Sequence, residues 1–253
     1  MKIKDLFRKS IKNHESALIK EKQKYKKLGF DFDAGMNLLN SIFKKLGHEE
    51  FNENTSAHYL LFCCLHLKEK NIKNILEIGT YLGESTRFLS ELFKESKIIT
   101  FDLADDDPIF KSSYERNDPK ILLDFLKKRK SNLISKNIKF IQSNSFFIPS
   151  LAKSKFDLIW VDGDHLLPTI AWDICNSYHL CKKNGWIMFD DIIIGNEIYK
   201  DGKYGSGDAF KILDYLHKNN SLNVEYFYKR HKPSYFDESS KLKKFVSIAK
   251  KLS

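Results

Sequence analysis

The 253-residue chain is poor in the residues that build special-purpose scaffolds. It has 4 Cys, 5 Pro and 11 Gly. The cysteines, at 63, 64, 175 and 181, have neither the density of a disulfide framework nor the CxxC spacing of a zinc site, so they read as reduced core thiols. No apolar run approaches the roughly 20 residues of a bilayer span; the longest, Tyr59 to Leu65, is YLLFCCL. Asp5 and Arg8 interrupt the start before any apolar stretch forms, which does not read as a secretory signal and makes a cytoplasmic protein the expectation. What is present, 42% hydrophobic and 30% charged residues, fits a globular chain and excludes collagen-like, coiled-coil and disordered classes.

Arginine is also scarce, at 5 against 38 lysines, yet the net charge is +10. Residues 1–28 carry +7 and residues 240–253 carry +5, which leaves −2 for everything between. A nucleic-acid enzyme would show its basic surface around the site that holds the phosphates. Here the excess is terminal, so no nucleic-acid partner is expected. Ile3, Phe7, Ile11, Leu18 and Tyr25 recur at helical spacing among the first lysines, the pattern of a basic amphipathic helix. A packing or dimerisation arm, which leaves a homo-oligomer open, is favoured over weak membrane-surface contact through residues 1–28. A second helix is expected over 34–48, ending near Gly47, and a third over 55–70, capped by Asn54 or Thr55. Residues 1–54 thus read as an N-terminal helical extension, and 55–253 as the main domain.

From Ile72 onward, short apolar runs alternate with helical stretches, which argues for a doubly wound, mostly parallel sheet covered on both faces. The expected strands are 74–79, 97–103, 138–143, 156–162, 185–191 and 224–230, the last followed by a basic tail. Helices are expected at 84–95, 119–130 and 168–182, with Pro119 and Pro168 in first turns and Gly185 just beyond a helix end.

Ligands of such sheets bind at the carboxyl ends of the strands. The first strand ends in Glu77-Ile78-Gly79-Thr80-Tyr81-Leu82-Gly83-Glu84-Ser85, where two glycines let backbone approach a ligand and a helix N-terminus faces an anion. Asp102, 23 residues after Gly79, ends the second strand at the offset where an acid reaches ribose hydroxyls. The G-x-G-x-x-G fingerprint is absent, so a nucleoside ligand without phosphates fits better than a dinucleotide. Strand four ends Asp162-Gly163-Asp164-His165, and strand five ends Asp190-Asp191. Each Asp alone reads as a turn or helix cap. Gathered together the acids would repel one another, and a hard divalent cation such as Mg²⁺ resolves that repulsion.

The runs NILEIGTYLGEST, FDL, FIQSNSFFIPS, FDLIWVDGDH and GWIMFDDI, in this order, resemble the class I S-adenosylmethionine-dependent methyltransferases. Within them the chain is most similar to the metal-dependent O-methyltransferases of the catechol and macrocin-like sugar types, over roughly residues 55–230. The resemblance implies a Rossmann-like sheet of seven strands and S-adenosylmethionine as cofactor. It implies that Gly79, Thr80, Tyr81, Gly83 and Ser85 surround the methionine end with Glu77 near its ammonium, that Asp102 holds the ribose, and that Asn144 and Ser145 lie beside the adenine. It further implies Mg²⁺ on Asp162, Asp190 and Asp191, Asp162 also bordering the cofactor, and His165 as the general base acting on a hydroxyl of a sugar or other small metabolite. Histidines 58, 66 and 179 read as surface or core filler. Residues 192–210, which hold four of the eleven glycines, suit a lid over the acceptor or a plain loop. The alternatives are a metal-independent methyltransferase, a nicotinamide oxidoreductase, disfavoured by the missing glycine, and a non-catalytic binding or anchoring protein.

Overall fold

Side-chain alternation along the strands sets the layering. In a computed structural model of the chain, residues 3–152, 154–194, 207–232 and 243–252 are described, with side chains from residue 15 onward. Three helices come first: α1 (Ile3–Lys27), α2 (Phe32–Leu46) and α3 (His58–Lys68). Strands and helices then alternate through β1 (Asn74–Ile78), α4 (Glu84–Leu92), β2 (Lys97–Asp102), α5 (Pro108–Ser112), α6 (Pro119–Asn132), β3 (Ile138–Gln142), α7 (Ile148–Leu151), β4 (Phe156–Val161), α8 (Thr169–Leu180) and β5 (Cys181–Ile193). The last elements are α9 (Gly207–Lys218), β6 (Leu222–Tyr228) and β7 (Lys244–Lys251). On β4, Leu158 and Trp160 enter a core with α2, α3 and α4, whereas Ile159 and Val161 enter a second core with α8 and α9. A sheet buried on both faces by this period-two alternation is the expected three-layer α/β sandwich.

The seven strands run in the order β3-β2-β1-β4-β5-β7-β6. The pairs from β3 to β5 are parallel, and β7 is antiparallel to both β5 and β6. Strand order reverses at the β1–β4 boundary, which opens a crevice at the carboxyl ends of those strands. The doubly wound, mostly parallel Rossmann-like sheet expected from the sequence is therefore observed.

Three local expectations are corrected. The basic tail contains β7, the strand inserted between β5 and β6, with Phe245, Val246, Ser247, Ile248 and Ala249 buried. Its lysines serve the fold: Lys251 Nζ donates to the carbonyls of Tyr178 (2.9 Å) and Cys181 (3.1 Å). Gly185 does not follow a helix but lies within β5, where a Cβ would stand 2.7 Å from Cys181 Sγ. Helix α3 begins at His58 after Ala57, without a side-chain cap from Asn54 or Thr55.

The carboxyl half of α1 packs onto its own sheet. Tyr25 is fully buried in edge-on contact with Phe32 and Phe227. Buried Glu21 accepts from the backbone N–H of Tyr228 (2.6 Å), and Lys24 Nζ donates to the Tyr226 carbonyl (2.8 Å). No helix among the described residues is long and apolar enough to cross a membrane.

Candidate active site

The turn after β1 is shaped by two close approaches. Gly79 has φ +96°, and a Cβ there would lie 2.1 Å from the Asp162 carbonyl oxygen, so the ends of β1 and β4 touch through bare backbone. Gly83, also at positive φ, caps α4 and leaves no room for a Cβ beside Leu133. Between them Tyr81 stands at φ +47°, and its backbone N–H donates to Asp102 Oδ2 (2.7 Å). Asp102 Oδ1 accepts from the Leu103 N–H (2.8 Å), and burial raises the acid's pKa against the pull of these bonds and of Arg129 and Arg116. The Tyr81 ring is half exposed and lies against Tyr114 and Phe125.

Glu77 is wholly buried under this turn. Its Oε2 accepts from the hydroxyls of Thr86 and Thr100, the latter at 2.6 Å, and Thr100 also contacts Thr80 Oγ1 at 2.6 Å. Glu77 Oε1 has no hydrogen-bond partner. Burial pushes this carboxyl up to about 7 in spite of the two threonines. Ser85, in the first turn of α4, lies beside the half-buried Tyr59, whose pKa burial raises.

Beyond β3, Asn144 accepts from the Phe146 N–H (2.9 Å) and caps a short turn that starts at Ser145. Near Ser145 stands Asp173 of α8, a buried acid the sequence reading passed over; burial pushes its carboxyl up to about 7.

The acids of β4 and β5 do converge. Asp190 and Asp191 are successive residues, which in a regular strand face opposite sides, but the register shifts between Phe189 and Ile192 and Asp191 takes φ +52°. That irregularity turns both carboxylates toward one cluster. Lys229 Nζ bridges them, 2.6 Å from Asp190 Oδ2 and 2.5 Å from Asp191 Oδ1, and Lys244 Nζ holds Asp191 Oδ2 at 2.8 Å. Imidazole Nε2 of His165 stands 3.9 Å from Asp162 Oδ1 and 3.8 Å from Asp191 Oδ2. Burial, joined by the charge of Asp190, holds Asp162 well above the usual carboxylate range. Burial acts the same way on Asp190, but Lys229 outweighs it and draws that carboxyl down to about 2. Burial lowers the His165 pKa against the acids beside it, which leaves a neutral imidazole near pH 7. His58 is a core histidine as expected, buried against Trp160 and brought down to about 4 by burial.

The structure thus brings together Asp162, His165, Asp190 and Asp191 at one side of the crevice, and Glu77, Gly79, Thr80, Tyr81 and Asp102 at the other. Lys229 and Lys244 were not anticipated. Neither stands in a motif, and only the pairing of β6 with β7 aligns them, the Lys229 N–H donating to the Lys244 carbonyl at 2.9 Å. Residues 195–206 of the glycine-rich stretch, with Tyr199 and Tyr204, lie outside the described residues.

The fold is shared with solved methyltransferases. Residues 76–192 match the family model Methyltransf_24, described as a methyltransferase domain. It is 30% identical over 128 residues to the uncharacterized protein R132 of Acanthamoeba polyphaga mimivirus, matching 49% of this chain and spanning about half, 53%, of that relative's length. The O-methyltransferase TomG of Streptomyces achromogenes, solved with S-adenosylmethionine, superposes with a TM-score of 0.55 at 15% identity over 91% of this chain and 95% of that one. A putative caffeoyl-CoA O-methyltransferase from Staphylococcus aureus gives 0.54 at 13% identity over 85% and 91%. The mycinamycin-pathway methyltransferase MycE, solved with Mg and S-adenosylhomocysteine, gives 0.54 at 15% identity over 85% of this chain and 54% of that one.

Proposed function

We propose that the chain is an S-adenosylmethionine-dependent O-methyltransferase acting on a hydroxyl of a sugar or other small metabolite. The observation that carries this reading is a buried carboxyl atom without a partner, Glu77 Oε1, beside a backbone cradle that tolerates no side chain at Gly79. An acceptor atom held in that state suits the ammonium of a methionine moiety, because a buried carboxylate gains most from a charged donor. When bound, the cofactor supplies an electrophilic methyl group on a positive sulfonium.

This chain's own residues do the rest. Each Asp102 oxygen spends one acceptor site on a backbone N–H and keeps another for a ribose hydroxyl. Thr80, Tyr81, Gly83 and Ser85 wall the methionine end, and Asn144 with Ser145 offers polar edges to the adenine. His165, neutral and flanked by Asp162 and Asp191, takes the proton of the acceptor hydroxyl, and the nearby Asp191 stabilises the imidazolium that results. Holding nucleophile and methyl in line supplies much of the rate without a covalent intermediate. The Mg²⁺ implied by resemblance does not fit this arrangement as folded. Three oxygens of Asp190 and Asp191 are already held by ammonium groups, and among the described residues no three His, Cys, Asp or Glu are arranged to hold a metal ion.

Calorimetry of the full chain tests the reading. S-adenosylhomocysteine is expected to bind, with Asp102→Ala weakening it by about tenfold or more, the loss of a hydrogen-bonded charged acceptor. His165→Ala should leave that affinity unchanged and lower turnover against a panel of sugar and phenolic acceptors by about 10²–10⁴. Absence of cofactor binding overturns the proposal; binding with turnover that ignores His165 removes the base.

A further inference from the structure

Three acids gathered at neighbouring strand ends, two of them on successive residues, need a counter-charge, and here the chain supplies it. Lys229 lies one residue beyond β6 and Lys244 begins β7. The Lys229 backbone is held on both sides: its N–H donates to the Lys244 carbonyl (2.9 Å), and its carbonyl accepts from the Ala57 N–H (2.8 Å). The side chains are correspondingly enclosed, 12% exposed for Lys229 and 17% for Lys244. From this fixed base Lys229 reaches Asp190 and Asp191 at once, in the gap a shared cation would fill, and Lys244 takes the remaining Asp191 oxygen. A magnesium ion sits about 2.0–2.1 Å from its oxygens. An ion on Asp190 Oδ2 and Asp191 Oδ1 would stand against the same two oxygens as the Lys229 ammonium, and like charges so close in a buried site repel strongly. At that position metal and lysine therefore exclude one another.

We propose that Lys229, seconded by Lys244, is the resident counter-cation of the Asp162–Asp190–Asp191 cluster, so that the acceptor site works without a divalent ion. Lys229 acts as a positioning residue: it fixes the orientation of the two β5 carboxylates, one of which borders His165 at 3.8 Å. The inference rests on the methyltransferase reading for the purpose of the site; the mutual exclusion rests only on the ion-pair geometry.

The test uses Mn²⁺ as probe on the full-length, chelator-stripped protein, followed by electron paramagnetic resonance and calorimetry, with S-adenosylhomocysteine binding measured in parallel. Wild type is expected to leave millimolar Mn²⁺ free. Lys229→Met, which keeps the packing of the stem but not the charge, is expected to gain a Mn²⁺ site at least about tenfold tighter, while Lys229→Arg stays metal-free. Lys244→Met, which frees a single oxygen, is the second variant should Lys229→Met not fold, and it is expected to show a smaller gain in the same direction. Stoichiometric Mn²⁺ binding by wild type overturns the proposal, and so does a folded Lys229→Met that binds no more Mn²⁺ than wild type. S-adenosylhomocysteine binding reports on the cofactor reading separately: its loss removes that reading whatever Mn²⁺ does.

Discussion

At the scale of single residues, Glu77 shows how a binding function is stored as instability. Its carboxyl is buried with one oxygen on two threonine hydroxyls and the other unpartnered, and its pKa is pushed up to about 7. In the unfolded chain an ordinary glutamate ionises near pH 4.5, so between that value and about 7 the native state holds a proton that the unfolded state has lost. Stability attributable to Glu77 is complete below the lower value and falls as pH rises to the upper one, by on the order of 3 kcal/mol. Glu77→Gln removes this charge. Urea unfolding without ligand should therefore find the variant about 1–3 kcal/mol more stable than wild type at pH 8, with the gap closing toward pH 5. Cofactor affinity should move the opposite way. A variant less stable at pH 8 would show that the carboxylate is compensated within the protein alone.

At the scale of elements, α1 illustrates a basic helix held by its underside. Tyr25 is buried between Phe32 and Phe227, and its hydroxyl has no hydrogen-bond partner. Tyr25→Ala should cost about 3–5 kcal/mol in chemical denaturation, the usual loss for a large aromatic in a packed site. Tyr25→Phe should be neutral or stabilising, because it removes only an unsatisfied polar atom. The same helix shows what could be read in advance. Spacing of apolar residues located α1, α2 and the strands β1, β2 and β4, because burial on a fixed face imposes a period. It did not locate β7, whose buried FVSIA core is bracketed by lysines at 243, 244, 250 and 251 that dominated the composition. The acids were legible because they follow apolar strands directly; Lys229 was not, since its partner across the sheet is set by long-range pairing. Nor did Asp190 and Asp191, written side by side, disclose the backbone irregularity that lets both face one cluster.

At the scale of the whole molecule, part of the terminal lysine excess is used within the chain. Lys24, Lys244 and Lys251 bind carbonyls or acids of the same chain, while Lys27 reaches Glu225 from an exposed position. The strand carrying two of them is threaded between β5 and β6. Chains ending at residue 243 should accordingly lose cooperative urea unfolding, since β6 then loses the sheet neighbour it has among the described residues, while chains ending at residue 252 keep it. During synthesis β6 leaves the ribosome before β7, the one strand it pairs with among the described residues, and Asp190 and Asp191 leave before Lys229 and Lys244. Until residues 244–251 emerge, the nascent protein exposes an open sheet edge beside unneutralised acids, a state that chaperones recognise and aggregation exploits. Maturation of this crevice thus waits for β7, the last of its described strands in chain order, to emerge.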